Sequence, residues 1–321
     1  MTRLQFRIAL VLLLMFALVP PLGALFEQPF LSYFFARIMI LGIAAVSLDL
    51  ILGFGGMVSF GHAVYLGVGA YAVGVLSHHG IDNGFIQFPV AVLASGLAAL
   101  AIGAMSIRTS GVYFIMITLA FAQMLYFLGI SLEEYGGDDG MAINRSEFGG
   151  LIDLWDPMQF YYLVFGLLAL FTYLAHRIVH SRFGMVLQGT RSNEQRMRAI
   201  GFPTYRYRVA AFTIAGVMCG VAGALLANWN EFVSPDYMHW TRSGEILIMV
   251  ILGGIGTLVG ALLGATGFLL LEEYLPDLMD LGAQGWGEHW MLLFGPLLIL
   301  VVLFGRGGLY ALLTRWAIRH G

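Results

Sequence analysis

Long apolar stretches separated by short polar ones set the pattern of this chain. They cover residues 8–25, 33–54, 63–76, 88–107, 111–130, 160–179, 209–227, 246–271 and 290–304. A helix needs about 20 apolar residues to cross the hydrocarbon of a bilayer, and several of these runs reach that length. The expected fold is all-α, a polytopic transmembrane helical bundle forming one integral membrane domain over 1–321. The first run follows Arg3 and Arg7, as the core of a signal peptide does. It is longer than the usual core, and Pro20-Pro21 precedes no clear cleavage site, so it reads as a retained helix.

Two glycine-rich breaks interrupt this pattern. Leu52-Gly53-Phe54-Gly55-Gly56-Met57-Val58-Ser59-Phe60-Gly61 precedes the run 63–76, and Gly253-Gly254-Ile255-Gly256-Thr257-Leu258-Val259-Gly260 divides the run 246–271. Each carries a Gly-Gly pair followed three residues on by Ser59 or Thr257. Such matched interruptions in two halves of a membrane protein point to a transport pathway. Glycine also lets helix backbones approach, so close packing stands beside that reading. Ala63-x-x-x-Gly67, Ala70-x-x-x-Gly74 and Gly216-x-x-x-Gly220-x-x-x-Ala224 are expected to be packing alone.

Charge sets the direction of threading. Arg3 and Arg7 precede the first run; Arg177, Arg182, Arg191, Arg196, Arg198, Arg206 and Arg208 follow the sixth; Arg306, Arg315 and Arg319 fill the tail. Basic residues mark cytoplasmic segments, so both termini and the loop 181–208 are expected inside. The acidic stretches 133–156 and 272–288 are then outside, with Trp155, Trp229, Trp240 and Trp286 near that interface. Seven crossings leave the chain outside after Ala227. The tail returns to the cytoplasm only if 243–271 is a hairpin broken at its glycines, with arms of about 13 residues against the usual 20. About ten crossings result.

Composition agrees: charged residues are 11% of the chain, against roughly a quarter in soluble domains. All sixteen basic residues are Arg. Without Lys there is no P-loop of the G-x-x-x-x-G-K-[ST] form and no Schiff-base chemistry. The single Cys219 excludes an intrachain disulfide and a multi-cysteine metal cage. His176 and His180 have metal-pair spacing but lack a third ligand. No enzyme, cofactor, metal or nucleic-acid partner is expected.

Ionisable and polar groups at membrane depth are functional candidates, which singles out Asp49, Ser59, His62, Gln123 and Thr257 for a pathway. A hydrogen-bonded filler role for His62 and a helix-packing role for Asp49 remain open. The segment 191–200 reads as a short helix, capped by Ser192 or Asn193 and closed by Gly201 and Pro203.

The breaks lie in a longer series of motifs. Gly53-Phe54-Gly55-Gly56-Met57-Val58-Ser59-Phe60-Gly61-His62-Ala63 is followed by Gly111-Val112-Tyr113-Phe114 and Thr118-Leu119-Ala120-Phe121-Ala122-Gln123. Gly136-Gly137-Asp138-Asp139-Gly140, Asn193-Glu194, Val233-Ser234-Pro235 and Ser243-Gly244-Glu245 come next. Leu252-Gly253-Gly254-Ile255-Gly256-Thr257 and Glu272-Glu273 complete it. In order and spacing, over residues 41–273, this resembles the permease subunits of branched-chain amino acid ABC importers, in particular the M-type partner of the heteromeric pair. The resemblance implies a second homologous permease subunit, two cytoplasmic ATPase subunits and a periplasmic solute-binding protein, in a bacterial inner membrane. It also implies that the segment holding Arg191, Asn193, Glu194, Arg198 and Gly201 couples to the ATPases; otherwise that basic loop serves topology and anionic headgroups. Asp49 and Met57 depart from the amides such proteins commonly carry there, and Gln195-Arg196-Met197-Arg198 from their small residues. The rival is an ion-coupled secondary transporter, for which Asp49 and His62 are the candidate ion-binding groups.

Overall fold

The computed structural model describes residues 3–282, 289–304 and 307–320. Helix α1 (Arg3–Leu25) leads through a turn into α2 (Pro29–Asp49), whose first residue is a proline. Proline suits that position because its missing N–H would have no partner there. Helix α2 is apolar over most of its surface, as a helix surrounded by others is. Accordingly 89% of its spanning stretch is buried. It packs against α1, α6 (Pro157–Val179), α9 (Thr204–Asn230), α10 (Trp240–Gly253) and α11 (Leu258–Gly282). Helix α1 joins the bundle through Phe16, whose carbonyl accepts a 2.7 Å hydrogen bond from the Tyr161 hydroxyl.

Helices α4 (Gly84–Ser106), α5 (Val112–Ser131) and α6 lie at the rim, with only 28%, 22% and 28% of their spanning stretches buried. Leu93, Leu97, Met116, Phe127 and Tyr173 stand exposed on them, a surface that suits hydrocarbon. Asn83 caps α4 by accepting from Phe85 N at 2.9 Å, and Asp156 caps α6 by accepting from Met158 N. Among the described residues six helices are long and apolar enough to cross a membrane, while the apolar stretches of α1, α3 (Ala63–His78) and α12 (Trp290–Phe304) are shorter. This is the all-α membrane bundle expected from the sequence.

The expected packing glycines do pack. A Cβ on Gly67 would overlap Met238, one on Gly74 Met141, one on Gly216 Ala99, and one on Gly220 Ser95. The contacts of Gly216 and Gly220 bring α4 onto α9, and Cys219 is buried beside them.

Two helices cover only part of the bundle's depth. The His62 carbonyl, just before α3, faces Cys219 Sγ at 3.5 Å, a little past the middle of α9. Ala63 N at the start of α3 donates to Ser243 Oγ at 3.0 Å, in the first turn of α10. The first turns of α3 and α10 therefore meet at mid-depth and their helices run apart in opposite directions. The chain reaches the start of α10 through a short strand, β2 (Phe232–Val233), and a 3₁₀ turn (Pro235–Met238). Strand β2 pairs antiparallel with β1 (Met141–Ala142) of the acidic loop. That loop is also held by Arg145, which pairs with Glu231 at 2.7 Å and lies over the Trp155 ring. The acidic-loop end thus opposes the arginine-rich end, where α7 (Arg182–Ser192) and α8 (Glu194–Ala199) lie.

Four expectations change. The hairpin 243–271 has one short arm, α10 with 14 residues, but α11 has 25. Glu272, Glu273, Asp277 and Asp280 are consequently helical, and the Glu272 charge is met by Arg37 at 3.3 Å. Trp240 begins α10 below the loop-end rim, because the turn before it descends along α3. The tail contains a further helix, α13 (Gly308–His320). The segment 191–200 is divided between α7 and α8, for a reason given below. Trp286, Glu288 and Arg306 lie outside the described residues, as do the side chains of Arg3, Arg7, Arg315 and Arg319.

Candidate functional site

The two glycine breaks end two helices in similar ways. Helix α2 widens into a π-helical turn (Leu50–Phe54) and stops at Gly56, whose φ of +68° is a conformation costly to residues with a Cβ. Gly56 N and Met57 N then close on the Leu52 and Ile51 carbonyls at 3.1 and 2.9 Å, a widened form of the usual glycine helix stop. Helix α10 stops at Gly254, Gly256 has φ +79°, and Thr257 Oγ1 donates to the Gly254 carbonyl at 2.5 Å.

Tertiary folding brings these breaks into contact at the arginine-rich end. Gly256 N donates to Asp49 Oδ1 at 2.7 Å. A Cβ on Gly53 would lie 2.6 Å from Gly256 Cα, so the two backbones touch. Into this contact reaches Arg191, from the last turn of α7. Its guanidinium donates to the Gly53 carbonyl, and a Cβ on Gly56 would stand 2.9 Å from Arg191 Cγ. Asp49, Thr257 and Arg191 thus form one junction. Asp49 is fully buried, with Oδ2 unpartnered among the described residues. A buried carboxylate oxygen without a partner is costly. The junction therefore holds an unsatisfied polar atom at the point where two broken helices and the Arg191 side chain of α7 converge.

Ser59 and His62 lie deeper, where the chain enters α3. Ser59 Oγ accepts from Gly61 N at 3.3 Å, and Phe60 N donates to Thr118 Oγ1 of α5 at 3.3 Å. His62 Nε2 is 2.8 Å from Ser47 Oγ of α2, and its ring stands edge-on to Tyr65. Both Ser59 and His62 are fully buried. Gln123, half-buried on α5, joins neither group, and among the described residues no hydrogen bond reaches it. Sequence reading missed Ser47, Thr118 and Ser243 as partners of this entry. Hydroxyls bonded across 15, 58 and 180 positions leave no local signal.

The predicted short helix 191–200 breaks at Asn193, which is extended (φ −161°, ψ 99°). Its side chain accepts from Arg196 N at 2.9 Å and so starts a new helix, α8. Arg191 therefore belongs to α7, which is why it can point into the junction. Glu194 turns towards the base of α9, accepting from Arg198 at 2.6 Å, Thr204 at 3.1 Å and Arg208 at 3.3 Å. Gly201 closes α8, with Phe202 N bonded back to the Met197 carbonyl at 3.1 Å. Gln195, Arg196, Ala199 and Ile200 are exposed. Glu194 is thus a clamp within the segment. The His176 and His180 rings stack at 4.1 Å, and the described residues contain no group of three or more His, Cys, Asp or Glu placed to hold a metal.

Comparison with known proteins adds the following. The family described as branched-chain amino acid transport system / permease component matches residues 30–302. The high-affinity branched-chain amino acid transport system permease protein LivM of Salmonella typhimurium is 27% identical over 295 residues, covering 84% of this chain and 68% of that protein. The probable branched-chain amino acid transport permease protein LivM of Methanocaldococcus jannaschii is 24% identical over 319 residues, covering 83% and 89%. The permease protein LivH of the high-affinity system of Escherichia coli K12 is 23% identical over 242 residues, covering 69% and 77%. No solved structure matches the chain.

Proposed function

Because the chain belongs to the branched-chain amino acid transport permease family, we propose that it forms the translocation pathway of an ATP-driven importer for branched-chain amino acids or a related small polar solute. One observation carries the mechanism: Arg191, on the arginine-rich segment, lies over the first glycine break and donates to the Gly53 carbonyl, where that break touches the second. A movement of α7 and α8 then has a direct mechanical path to both breaks. Glu194 fastens α8 to the base of α9, which gives that lever a second attachment to the bundle.

In this reading the ATP is hydrolysed on two cytoplasmic partner subunits seated against α7 and α8. A second permease subunit completes the pathway, and a periplasmic binding protein delivers solute. Matches to both LivM and LivH relatives support a paired permease. The complex is purified with its co-purifying subunits and reconstituted with its binding protein. Uptake should then require ATP and continue in the presence of a protonophore. Uptake that stops with the protonophore while ATP is present would establish ion-coupled transport instead.

The inner membrane is the proposed location, with both termini and 181–208 cytoplasmic and 132–156 periplasmic. In a Cys219→Ser background, Arg319→Cys should resist an impermeant thiol reagent in intact cells and react after permeabilisation. Labelling in intact cells would reverse the orientation of the tail.

A further inference from the structure

We infer that a cavity between α2, α9 and α10, in the outer half of the bundle, is a solute site for a molecule carrying a carboxylate and an ammonium on a short aliphatic frame. The inference rests on the import function proposed above and places a specificity-bearing site within this subunit. The cavity holds about 210 Å³. That is smaller than the roughly 300–1,000 Å³ pockets that take drug-sized ligands, and about seven times the share of volume of one water.

Its walls divide by chemistry. Arg37, Arg242 and Glu245 supply charge, Asn230 and Tyr237 supply neutral polar groups, and Leu41, Leu66, Ile246 and Met249 supply an apolar floor. The last three of those are almost completely buried. Arg37 meets Glu272 through a single contact at 3.3 Å, and Arg242 meets Glu245 through one at 2.8 Å. A guanidinium has five N–H donors, so both arginines keep donors for a carboxylate at the wall they share. Glu245 is the anionic group on that wall and suits an ammonium. Asn230 Nδ2 donates to the Tyr237 hydroxyl at 2.6 Å, holding a polar rim over the apolar floor.

Position strengthens the case. Arg37 stands two turns inside α2, about 12 Å from its start, and Arg242 lies in the first turn of α10, which begins at mid-depth. Charged groups at such depth are rare and usually serve a transported solute or ion. An Arg37–Glu272 pair that only stapled α2 to α11, and an Arg242–Glu245 pair that only braced α10 on itself, would need neither an open volume nor an aliphatic floor.

The test uses the complete reconstituted transporter. In a Cys219→Ser background, a Met249→Cys thiol should react with an aqueous methanethiosulfonate reagent from the outer side. L-leucine should slow that reaction severalfold, and 4-methylpentanoate, which lacks the ammonium, should not. Separately, Glu245→Gln should lower the leucine uptake rate about tenfold, the scale of one lost charged hydrogen bond. Its KM for the loaded binding protein should stay unchanged. Equal thiol reactivity with and without leucine, or wild-type uptake by Glu245→Gln, overturns the site. Failure of the wild-type complex to import any amino acid with ATP would instead remove the import function on which the site rests.

Discussion

Gly53→Val should abolish uptake, because the new Cβ would be driven into backbone. It would stand 2.6 Å from Gly256 Cα and 2.5 Å from Gly256 N, and neither atom can swing aside as a side-chain end does. The same substitution crowds the Asp49 carboxylate that accepts from Gly256 N. Overpacking costs about 1–3 kcal/mol, and losing a hydrogen bond to a charged group about 1.5–3 kcal/mol more. The two breaks are then expected to separate, with uptake reduced about 100-fold or more even where some chain still inserts. Gly166→Val, on α6, supplies the contrast, since a Cβ there meets nothing within 4 Å. It should insert and transport like the wild type. Radiolabelled uptake normalised to membrane abundance reads both. Wild-type uptake by Gly53→Val would show that the contact between the breaks is dispensable.

Arg191→Ala should uncouple the transporter while leaving it assembled. The side chain lies over Gly56 and donates to the Gly53 carbonyl, so its removal cuts the link between α7 and the first break without touching the helices that hold the fold. The expected result is normal abundance and normal co-purification of the ATPase subunits. ATP hydrolysis should no longer respond to loaded binding protein, and uptake should fall about tenfold or more, the scale of one charged hydrogen bond. Arg191→Lys keeps a cation on a flexible stem without the planar fork and should recover part of the loss. Glu194→Arg acts on the same lever from the other end. It sets a third guanidinium against Arg198 and Arg208 and should free α8 from α9, losing uptake at normal insertion. Binding-protein-stimulated ATP hydrolysis by Arg191→Ala at the wild-type level would exclude this side chain from coupling.

The sequence by itself determined the solvent and the broad plan. Apolar runs near span length, few charges and clustered arginines admit a membrane bundle and little else, because an unpaired backbone cannot cross hydrocarbon. A helix start was legible where a local residue supplies the cap, as at Asn193. Both glycine breaks were legible too, as interruptions, and so were Asp49, Thr257 and Arg191 as separate candidates.

Tertiary structure alone decided what those candidates do to one another. Asp49 and Gly256 are 207 positions apart, and Arg191 and Gly53 are 138 apart. A side chain that satisfies a distant backbone group leaves no periodicity behind. The same holds for Ser243, which caps α3 from another helix, and for Arg37, whose partner Glu272 looked like part of an outer loop. Asn193 shows how a local signal can mislead. The cap was visible, but a side chain that starts one helix also ends the preceding one, and so Arg191 was placed on the wrong side of the break. Periodicity and composition report which solvent each stretch prefers. The position of a charge relative to a break depends on how helices of similar apolarity pack, and in this chain backbone contacts at glycine made that choice.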